Sequence, residues 1–317
     1  MDDGIALDDA ADRAQGTTRR GLLKCMAYAG AGVLWTVTGG VPKALRLGGE
    51  AVAATGDFSF VQISDTHIGF KAEPNPDPAA TLREALGRIG QMPSRPALLL
   101  HTGDVTHLAK PEQFDAADQI MRTAGLDTHY VPGEHDVLND EGKSFFERFA
   151  KESKTGGWYS FDQGGVHFIA LVNVLNLRAG GLGYLGAEQL EWLEKDLGGR
   201  GASTPIVVLA HMPLWSLYPQ WGWGTDDAAQ ALSYLKRFGS VTVLNGHIHQ
   251  VMQKVEGAVS FQTARSTAFP QPAPGEGPGP GPLKVPADRL KSTLGIRRID
   301  FTRETGTLKI SDATLDA

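Results

Sequence analysis

Metal-binding residue types recur in five short segments of this chain, and each segment directly follows a short apolar run. The segments are Asp65-Thr66-His67, Gly103-Asp104, Gly133-Glu134-His135-Asp136, Ala210-His211-Met212-Pro213 and Gly246-His247-Ile248-His249. The apolar runs are typical of buried β-strands, and the loops at the carboxyl ends of parallel strands converge. Asp, Glu and His are the ligands that a two-metal hydrolytic site uses. The pattern therefore predicts one shared metal centre.

In this order the segments resemble the motifs of the calcineurin-like metallophosphoesterases: D-x-H, G-D, G-N-H-[DE], a histidine between small and apolar residues, and G-H-x-H. The resemblance covers residues 57–317. The stretches Trp158–Val172 and Gly183–Leu197 look most similar to the purple-acid-phosphatase-like and class III cyclic-nucleotide phosphodiesterase branch. The chain departs from the family at Glu134, where the family has Asn.

The resemblance implies two ions, with Fe, Mn or Zn as candidates, held by two sets of ligands that share Asp104. The sets are Asp65, His67, Asp104 and His249 for the first ion, and Asp104, Glu134, His211 and His247 for the second. Such a pair of ions polarises phosphoryl oxygens and activates water for in-line attack. The resemblance also implies that His135 protonates or stabilises the leaving oxygen. Asp136 would orient the His135 ring, as a carboxylate does for a catalytic imidazole.

Three residues in or near these motifs leave alternatives open. Glu134 either adds a third carboxylate, which favours diester monoanions over phosphate dianions, or distorts the second position and leaves one ion. His107 stands where purple acid phosphatases have a tyrosine, and its contact with a metal or a phosphate is a hypothesis. The nearby His101 has either a supporting or a packing role, whereas His129 and His167 are interpreted as structural.

The order of predicted elements indicates an α/β fold. Strands are predicted at 58–64, 97–100, 128–131, 158–162, 166–173, 205–209 and 241–244, with terminal hairpins at 251–264 and 295–311, and helices at 79–91, 111–124, 185–197 and 226–238, the last capped by Thr225. The early strand–helix alternation implies parallel pairing with right-handed crossovers. With the resemblance, this predicts a four-layer α/β/β/α sandwich of two mixed sheets flanked by helices.

Two irregular stretches could line the site. Residues 270–286 are rich in Pro and Gly and form either a disordered insertion or a loop over the active-site mouth. Four aromatic residues follow His211 and form either a substrate-facing wall or a buried lid anchor. These are Trp215, Tyr218, Trp221 and Trp223.

The N-terminal segment predicts export. Thr18-Arg19-Arg20-Gly21-Leu22-Leu23-Lys24 resembles a twin-arginine motif, and Ala51-Val52-Ala53 offers a cleavage site. The apolar stretch between them is too short and Gly-rich for a membrane span, and an N-terminal amphipathic or buried helix is the alternative. We therefore expect residues 1–54 to be a cleaved signal peptide with linker and residues 55–317 to be the catalytic domain.

The composition of the chain excludes several classes of function and site. The formal net charge of −6 argues against binding a nucleic-acid polymer, and the single cysteine, Cys25, excludes an internal disulfide and a Cys-based zinc site. The expected protein is a periplasmic or secreted dinuclear phosphoesterase that hydrolyses small phosphodiesters, cyclic nucleotides included. Its partners are that substrate and the twin-arginine translocation machinery, without a stable membrane anchor. The alternatives are a phosphomonoesterase on small metabolites and a catalytically silenced metal- or phosphate-binding protein.

Overall fold

The computed structural model describes residues 57–150, 153 and 156–317, together with the backbone of two strands before them. The chain divides into two compact units, residues 1–54 and 55–317. In the first unit β1 (Val33–Thr38) pairs antiparallel with β2 (Val41–Arg46). The predicted export motif and cleavage site lie outside the described residues. Among the residues described, every helix is too short or too polar to span a lipid bilayer.

The described residues of the second unit form eleven strands and six α-helices. The strands are β3 (Phe58–Ile63), β4 (Leu98–His101), β5 (Asp127–Tyr130), β6 (Tyr159–Gln163), β7 (Val166–Ala170), β8 (Ile206–Leu209), β9 (Val241–Asn245), β10 (Gln253–Glu256), β11 (Val259–Thr263), β12 (Gly295–Thr302) and β13 (Thr307–Thr314). The helices are α1 (Pro78–Gly90), α2 (Pro111–Met121), α3 (Lys143–Phe149), α4 (Ala187–Gly198), α5 (Ala228–Leu235) and α6 (Leu290–Thr293).

These strands form two mixed sheets. The first has the order β13-β12-β3-β4-β5, in which β3, β4 and β5 are parallel and β12 runs antiparallel to β3. The second has the order β10-β11-β9-β8-β7-β6, with a parallel centre and an antiparallel strand at each edge. Helices α1 and α2 make the crossovers between β3, β4 and β5. Helix α1 starts where the Asp77 carboxylate accepts a hydrogen bond from the Ala80 N–H, at 3.1 Å.

Apolar side chains fill three layers of core. Between the sheets lie side chains such as Phe60 and Ile299 from the first sheet and Phe168 and Leu244 from the second. Helices α1 to α3 cover the outer face of the first sheet, and α4 and α5 cover that of the second. The central strands carry apolar residues on both faces because both faces are buried. The predicted four-layer sandwich is confirmed.

A polar network crosses the inter-sheet core close to the strand ends. Gln62 on β3 donates through Nε2 to the Thr102 hydroxyl at 3.0 Å and to the Asn245 carbonyl, on the second sheet, at 3.3 Å. The fully buried Arg297 pairs with Asp312 at 2.8 Å and donates to the Thr263 carbonyl at 2.9 Å. Buried polar groups need such partners, so the network fixes how the two sheets register.

The structure differs from the sequence prediction in several local details, among them the short helix α6, which was not predicted. Helix α3 was not predicted, since its seven residues are too few to show a helical period. The residue that precedes α5 is Asp227 instead of Thr225. The Thr225 hydroxyl donates to the Pro213 carbonyl at 2.9 Å, so it holds the loop after β8.

Candidate metal centre

All five predicted segments follow the carboxyl ends of strands, and the structure gathers them at one edge of the two sheets. Seven described residues other than glycine have a positive φ, and five of these are predicted metal ligands. Their φ angles lie between 39° and 69°, and they are Asp65, His67, Asp104, His247 and His249. Left-handed backbone is costly for residues with a Cβ, so it persists where the surrounding structure holds it in place. Here each of the five side chains belongs to a group of ligand atoms that lie within 4.8 Å of one another.

The first group brings together Asp65, His67 and His249, whose ligand atoms lie within 4.8 Å of one another. His67 Nε2 is 3.3 Å from His249 Nε2, and His249 Nε2 is 3.3 Å from Asp65 Oδ1. His249 Nδ1 donates to the Phe269 carbonyl at 2.6 Å, which leaves Nε2 as its ligand atom. All three side chains are buried.

The second group brings together Glu134, His211 and His247. Glu134 Oε2 lies 2.9 Å from His211 Nε2, and Oε1 lies 3.0 Å from His247 Nδ1. His211 Nδ1 donates to the Thr102 carbonyl at 2.7 Å, so its Nε2 faces the group. Glu134 therefore reaches the place where the second ion is predicted, and its carboxylate does not turn away.

Asp104 lies between the two groups. Its Oδ2 atom is 3.5 Å from His67 Nε2 of the first group and 3.4 Å from His211 Nε2 of the second. Its other oxygen accepts a hydrogen bond from the His135 N–H at 2.9 Å. The structure thus places Asp104 where the sequence analysis expects a bridging ligand.

At two positions of the motifs only glycine fits, because another residue lies too close for a Cβ atom. A Cβ on Gly103 would collide with the ring of His211, and a Cβ on Gly133 would collide with the carboxylate of Asp104. The glycines in front of Asp104 and Glu134 therefore let the loops after β4 and β5 pack against the ligands.

The charges of the centre favour cations. Burial alone would raise the pKa of Glu134, but the imidazoles of His247 and His211 outweigh burial and hold this pKa well below its usual range. The pKa of Asp65 is lowered in the same way, against burial, by His249 and His211. Both carboxylates are therefore ionised at neutral pH, the form that binds a metal.

The hydrogen bonding of the predicted ligands is also consistent with bound metal ions. Asp65 Oδ2 and His247 Nε2 are buried and have no hydrogen-bond partner within the described residues. His211 Nε2 and His247 Nδ1 face only carboxylate oxygens, which are ligand atoms themselves. Buried polar atoms normally have a partner, so a cluster of atoms without one indicates a missing ligand. Three carboxylates and four imidazoles are a suitable donor set for two borderline divalent or trivalent transition-metal ions.

His135 lies beside the first group. Its ring is 4.8 Å from that of His67, and its Nδ1 donates to the His107 carbonyl at 2.7 Å. The Nε2 atom is thereby left as the atom that can act on a substrate. Burial lowers the pKa of His135, but Asp104 and Glu134 outweigh it and the pKa is raised. At neutral pH this favours the protonated ring that a leaving-group acid needs.

The expected role of Asp136 in orienting His135 is wrong. Its buried carboxylate instead accepts hydrogen bonds from the N–H groups of Val105, Thr106 and Gly133, at 3.0, 2.8 and 3.1 Å. Asp136 therefore ties the loop after β5 to the loop after β4. The main-chain carbonyl of His107 takes the place that the prediction gave to this carboxylate.

Several supporting residues were missed by the sequence analysis. Phe269 stacks on His67 with ring centroids 4.7 Å apart, and it packs against His249 at the same distance. Asn245 donates to the carbonyls of Ala210 and Met212 at 2.7 and 3.0 Å, which fixes the segment that carries His211. An apolar ring and an amide outside the motifs are not typical of metal sites, so the sequence contains no signal that would have identified these two residues.

The other histidines separate into two kinds. His101 supports the site, since its Nδ1 accepts the Gly103 N–H and its Nε2 faces the Thr66 hydroxyl, both at 3.2 Å. Burial lowers the pKa of His101 to about 3, so this ring is neutral. His167 bridges the carboxylates of Asp162 and Asp196 at 2.9 and 2.7 Å, outside every metal-binding group of the described residues.

The Pro/Gly-rich loop is hydrogen-bonded to a predicted ligand, whereas the aromatic cluster packs mainly on itself. Of the four aromatic residues, Trp223 is fully buried, whereas Trp215, Tyr218 and Trp221 remain partly exposed, so one buried ring anchors the cluster. Gln271, in the Pro/Gly-rich loop, donates to the His247 carbonyl at 3.0 Å. Gln250 donates to the Gln271 carbonyl at 3.0 Å, so the start of this loop is fastened beside the second group.

Comparison with known proteins agrees with this geometry. Residues 58–251 match the family described as calcineurin-like phosphoesterase. The chain is 25% identical over 218 residues to a 3′,5′-cyclic-nucleotide phosphodiesterase from Nostoc sp., covering 67% of this chain and 79% of the relative. It is 32% identical over 131 residues to purple acid phosphatase 15 of Arabidopsis thaliana, covering 38% of this chain and 24% of that protein. A dimetal phosphatase from Danio rerio has a similar fold, with a TM-score of 0.61 at 15% identity over 81% of this chain and 99% of that one.

Proposed function

Since this chain belongs to the calcineurin-like phosphoesterase family and is therefore a metallophosphoesterase, we propose that it hydrolyses phosphodiesters, with cyclic nucleotides as the candidate substrate class. The observation that carries the proposal is the position of Glu134, whose two oxygens lie 2.9 and 3.0 Å from the ring nitrogens of His211 and His247. The similarity to a cyclic-nucleotide phosphodiesterase from Nostoc sp. supports the same substrate class.

The third carboxylate changes the charge that a substrate meets. Two divalent cations bring four positive charges, and Asp65, Asp104 and Glu134 offset three of them, whereas two carboxylates would offset two. The attraction for a phosphate group scales with its charge and is strong in a poorly solvated site. Glu134 therefore penalises a dianionic monoester more than a monoanionic diester.

The other catalytic roles are assigned to individual residues. When bound, two ions supply Lewis acidity to the phosphoryl oxygens and acidify a water. The ligands from both sheets would hold these ions among buried side chains, where charges interact strongly. His135, with Nδ1 committed to the His107 carbonyl, presents Nε2 to donate a proton to the leaving oxygen. Asp136 keeps the two loops that carry Asp104 and His135 together.

Replacing Glu134 with Asn and with Gln tests the charge argument. Both changes remove the negative charge, and Gln also keeps the length of the side chain. We expect the ratio of kcat/KM for bis(p-nitrophenyl) phosphate over p-nitrophenyl phosphate to fall in both variants relative to the unaltered protein. The exposed Glu194 on α4, changed to Gln, is the matched control and should leave the ratio unchanged.

Metal content must be measured beside the rates, because a lost ion would imitate the effect. If both variants keep two ions and the ratio stays constant, Glu134 does not set the charge preference. A panel of cyclic nucleotides and nucleoside monophosphates, assayed after loading with Mn, Fe or Zn, identifies the class directly. Protein that binds two ions and turns over neither ester would instead be a metal-binding protein without this activity.

A phosphomonoesterase is the second candidate, and the similarity to purple acid phosphatase 15 favours it. That relative shares 131 aligned residues with the chain, and only 24% of its own length is covered. A higher kcat/KM for monoesters than for diesters in the unaltered protein would select this candidate.

We also propose that the protein is exported by the twin-arginine route to the periplasm or beyond. The support is the motif with Arg19 and Arg20 followed by the small residues 51–53, all outside the described residues. Changing both arginines to Lys should retain the protein in the cytoplasm, as fractionation and immunoblotting would show. Uncleaved cytoplasmic protein in the unaltered form would contradict the proposal.

A further inference from the structure

His107 occupies a position that brings it against two functional histidines at once. It follows Thr106, which forms a bridge with Ile68, and the His107 N–H donates to the Ile68 carbonyl at 3.0 Å. The loops after β3 and β4 therefore run side by side, and His107 lies next to His67. Nitrogen atoms of His67, His107 and His135 fall within 4.8 Å of one another.

The contact with His67 is made through the ring nitrogen that faces away from the first group. His67 Nε2 lies 3.5 Å from Asp104 Oδ2, whereas His67 Nδ1 lies 3.4 Å from His107 Nδ1. An imidazole that binds a cation through Nε2 carries its proton on Nδ1, and a partner that accepts this proton fixes the ring. For His67 that partner is His107 Nδ1.

Two other predicted ligands follow the same rule with a different acceptor. His211 Nδ1 donates to the Thr102 carbonyl at 2.7 Å, and His249 Nδ1 donates to the Phe269 carbonyl at 2.6 Å. His67 is the member of this trio whose acceptor is a side chain. A substitution can therefore remove the acceptor of His67 without moving any main chain.

His107 is also fixed to His135. The two rings stack with centroids 4.9 Å apart and planes 17° from parallel. The His107 carbonyl accepts the His135 Nδ1 proton at 2.7 Å, so the backbone of the same residue determines which nitrogen of His135 faces the substrate. One residue thus contacts a predicted metal ligand through its ring and the predicted leaving-group acid through its carbonyl.

We propose that His107 is a positioning residue that orients His67 for the first metal ion by accepting its Nδ1 proton, and that it aligns His135 with that ion. It acts behind His67 and does not itself bind the ion. The inference rests on the proposed function to the extent that it takes His67 as a metal ligand.

Two replacements separate the acceptor from the rest of the residue. His107→Asn keeps an acceptor oxygen at the place of Nδ1, whereas His107→Phe keeps a flat ring against His135 and has no acceptor. Both keep the main-chain carbonyl. His129→Phe is the control for the loss of an imidazole, since His129 stacks on Phe161 at 3.7 Å and belongs to no metal-binding group of the described residues.

The readout is metal affinity in purified protein, by competition with a chelator using Zn²⁺ or Co²⁺ alone. We expect His107→Phe to lower the affinity for one of the two ions by about 10- to 100-fold, the usual effect of removing such a hydrogen-bond partner, while the affinity for the other ion is unchanged. His107→Asn and His129→Phe should bind both ions as the unaltered protein does. The visible absorption of bound Co²⁺, which reports the number of ligands, should not change in His107→Phe.

The outcomes are distinct. Equal affinities in His107→Phe and the unaltered protein would overturn the inference, and so would an equally weak His107→Asn. A changed Co²⁺ spectrum, or three ions in the unaltered protein and two in His107→Phe, would make His107 a direct ligand and overturn it too. Unaltered protein that binds no ion would instead remove the proposed function.

Discussion

The left-handed backbone at the predicted ligands should cost stability, and His247 is the position where this cost can be measured. Its φ is 69°, its N–H donates to Asp65 Oδ1 at 3.1 Å, and its carbonyl accepts from Gln271 at 3.0 Å. The main chain is therefore held from both sides. The ring makes one polar contact, between Nδ1 and Glu134 Oε1 at 3.0 Å, and its Nε2 has no hydrogen-bond partner within the described residues, so any variant that lacks the imidazole loses the same single contact.

The perturbation is a pair of variants, His247→Ala and His247→Gly, compared with each other. Both lose the imidazole, and only Ala keeps the Cβ. The left-handed conformation costs a residue with Cβ about 1–2 kcal/mol. The greater freedom of glycine in the unfolded chain offsets about 0.5–1 kcal/mol of this gain. We therefore expect the Gly variant to be more stable than the Ala variant by about 0.5–1 kcal/mol.

The assay is urea denaturation at 25 °C with excess chelator, so that no ion contributes. Glu194, exposed within α4, provides the matched pair, and there Gly should be less stable than Ala by about 1 kcal/mol. The sign of the Ala–Gly difference should thus reverse between the two positions. If Gly is also the less stable variant at 247, the backbone there carries no such strain.

Three further predictions concern the centre. Asp104→Asn should lower the content of both ions, because Oδ2 lies within 3.5 Å of a ligand of each group, and elemental analysis after reconstitution checks this; loss of one ion alone would contradict the bridging position. His135→Ala should slow esters with poor leaving groups by about 10²–10⁴-fold and activated aryl esters less, and equal losses in kcat would remove His135 as the acid. The pKa of His101 in the folded protein is about 3, below its value in the unfolded chain. The stability that the neutral ring contributes to the free energy of unfolding is therefore complete above about pH 6.5 and is lost as pH falls toward 3. His101→Asn should flatten the fall of unfolding free energy between pH 6.5 and 4 by up to about 1.4 kcal/mol per pH unit, and an unchanged slope in urea titrations would contradict this.

The ligand positions could be predicted because sequence order and strand direction constrain them strongly. An apolar run followed by Asp or His indicates a buried strand with a polar carboxyl end, and parallel strands carry those ends to one edge. The same reasoning predicted the crossovers through α1 and α2, whereas the arrangement in two mixed sheets was predicted from the resemblance to the family. The longer helices could be predicted from the helical period of their apolar residues alone, as at Leu82, Leu86 and Ile89.

The supporting contacts could not be predicted, because main-chain groups or apolar rings make them. Asp136 was assigned to His135 by adjacency in the chain, yet its carboxylate binds N–H groups of the loop after β4. Any residue type supplies an N–H, so no side-chain pattern marks such a partner. Phe269 likewise reaches the site only because the loop after β11 folds back over the first group.

The route of the chain through the first sheet has a consequence for biosynthesis. Strand β3 precedes every candidate ligand, but its antiparallel neighbour β12 leaves the ribosome after all of them. Until β12 arrives, β3 is an open edge, and Phe60, which packs with Ile299 between the sheets, lacks part of its cover. A chain that stops before residue 295 would retain every candidate ligand and still expose this edge, so it would tend to aggregate. A nascent chain therefore carries the full metal-binding chemistry before it can close its first sheet, and folding is completed only after translation has passed this strand.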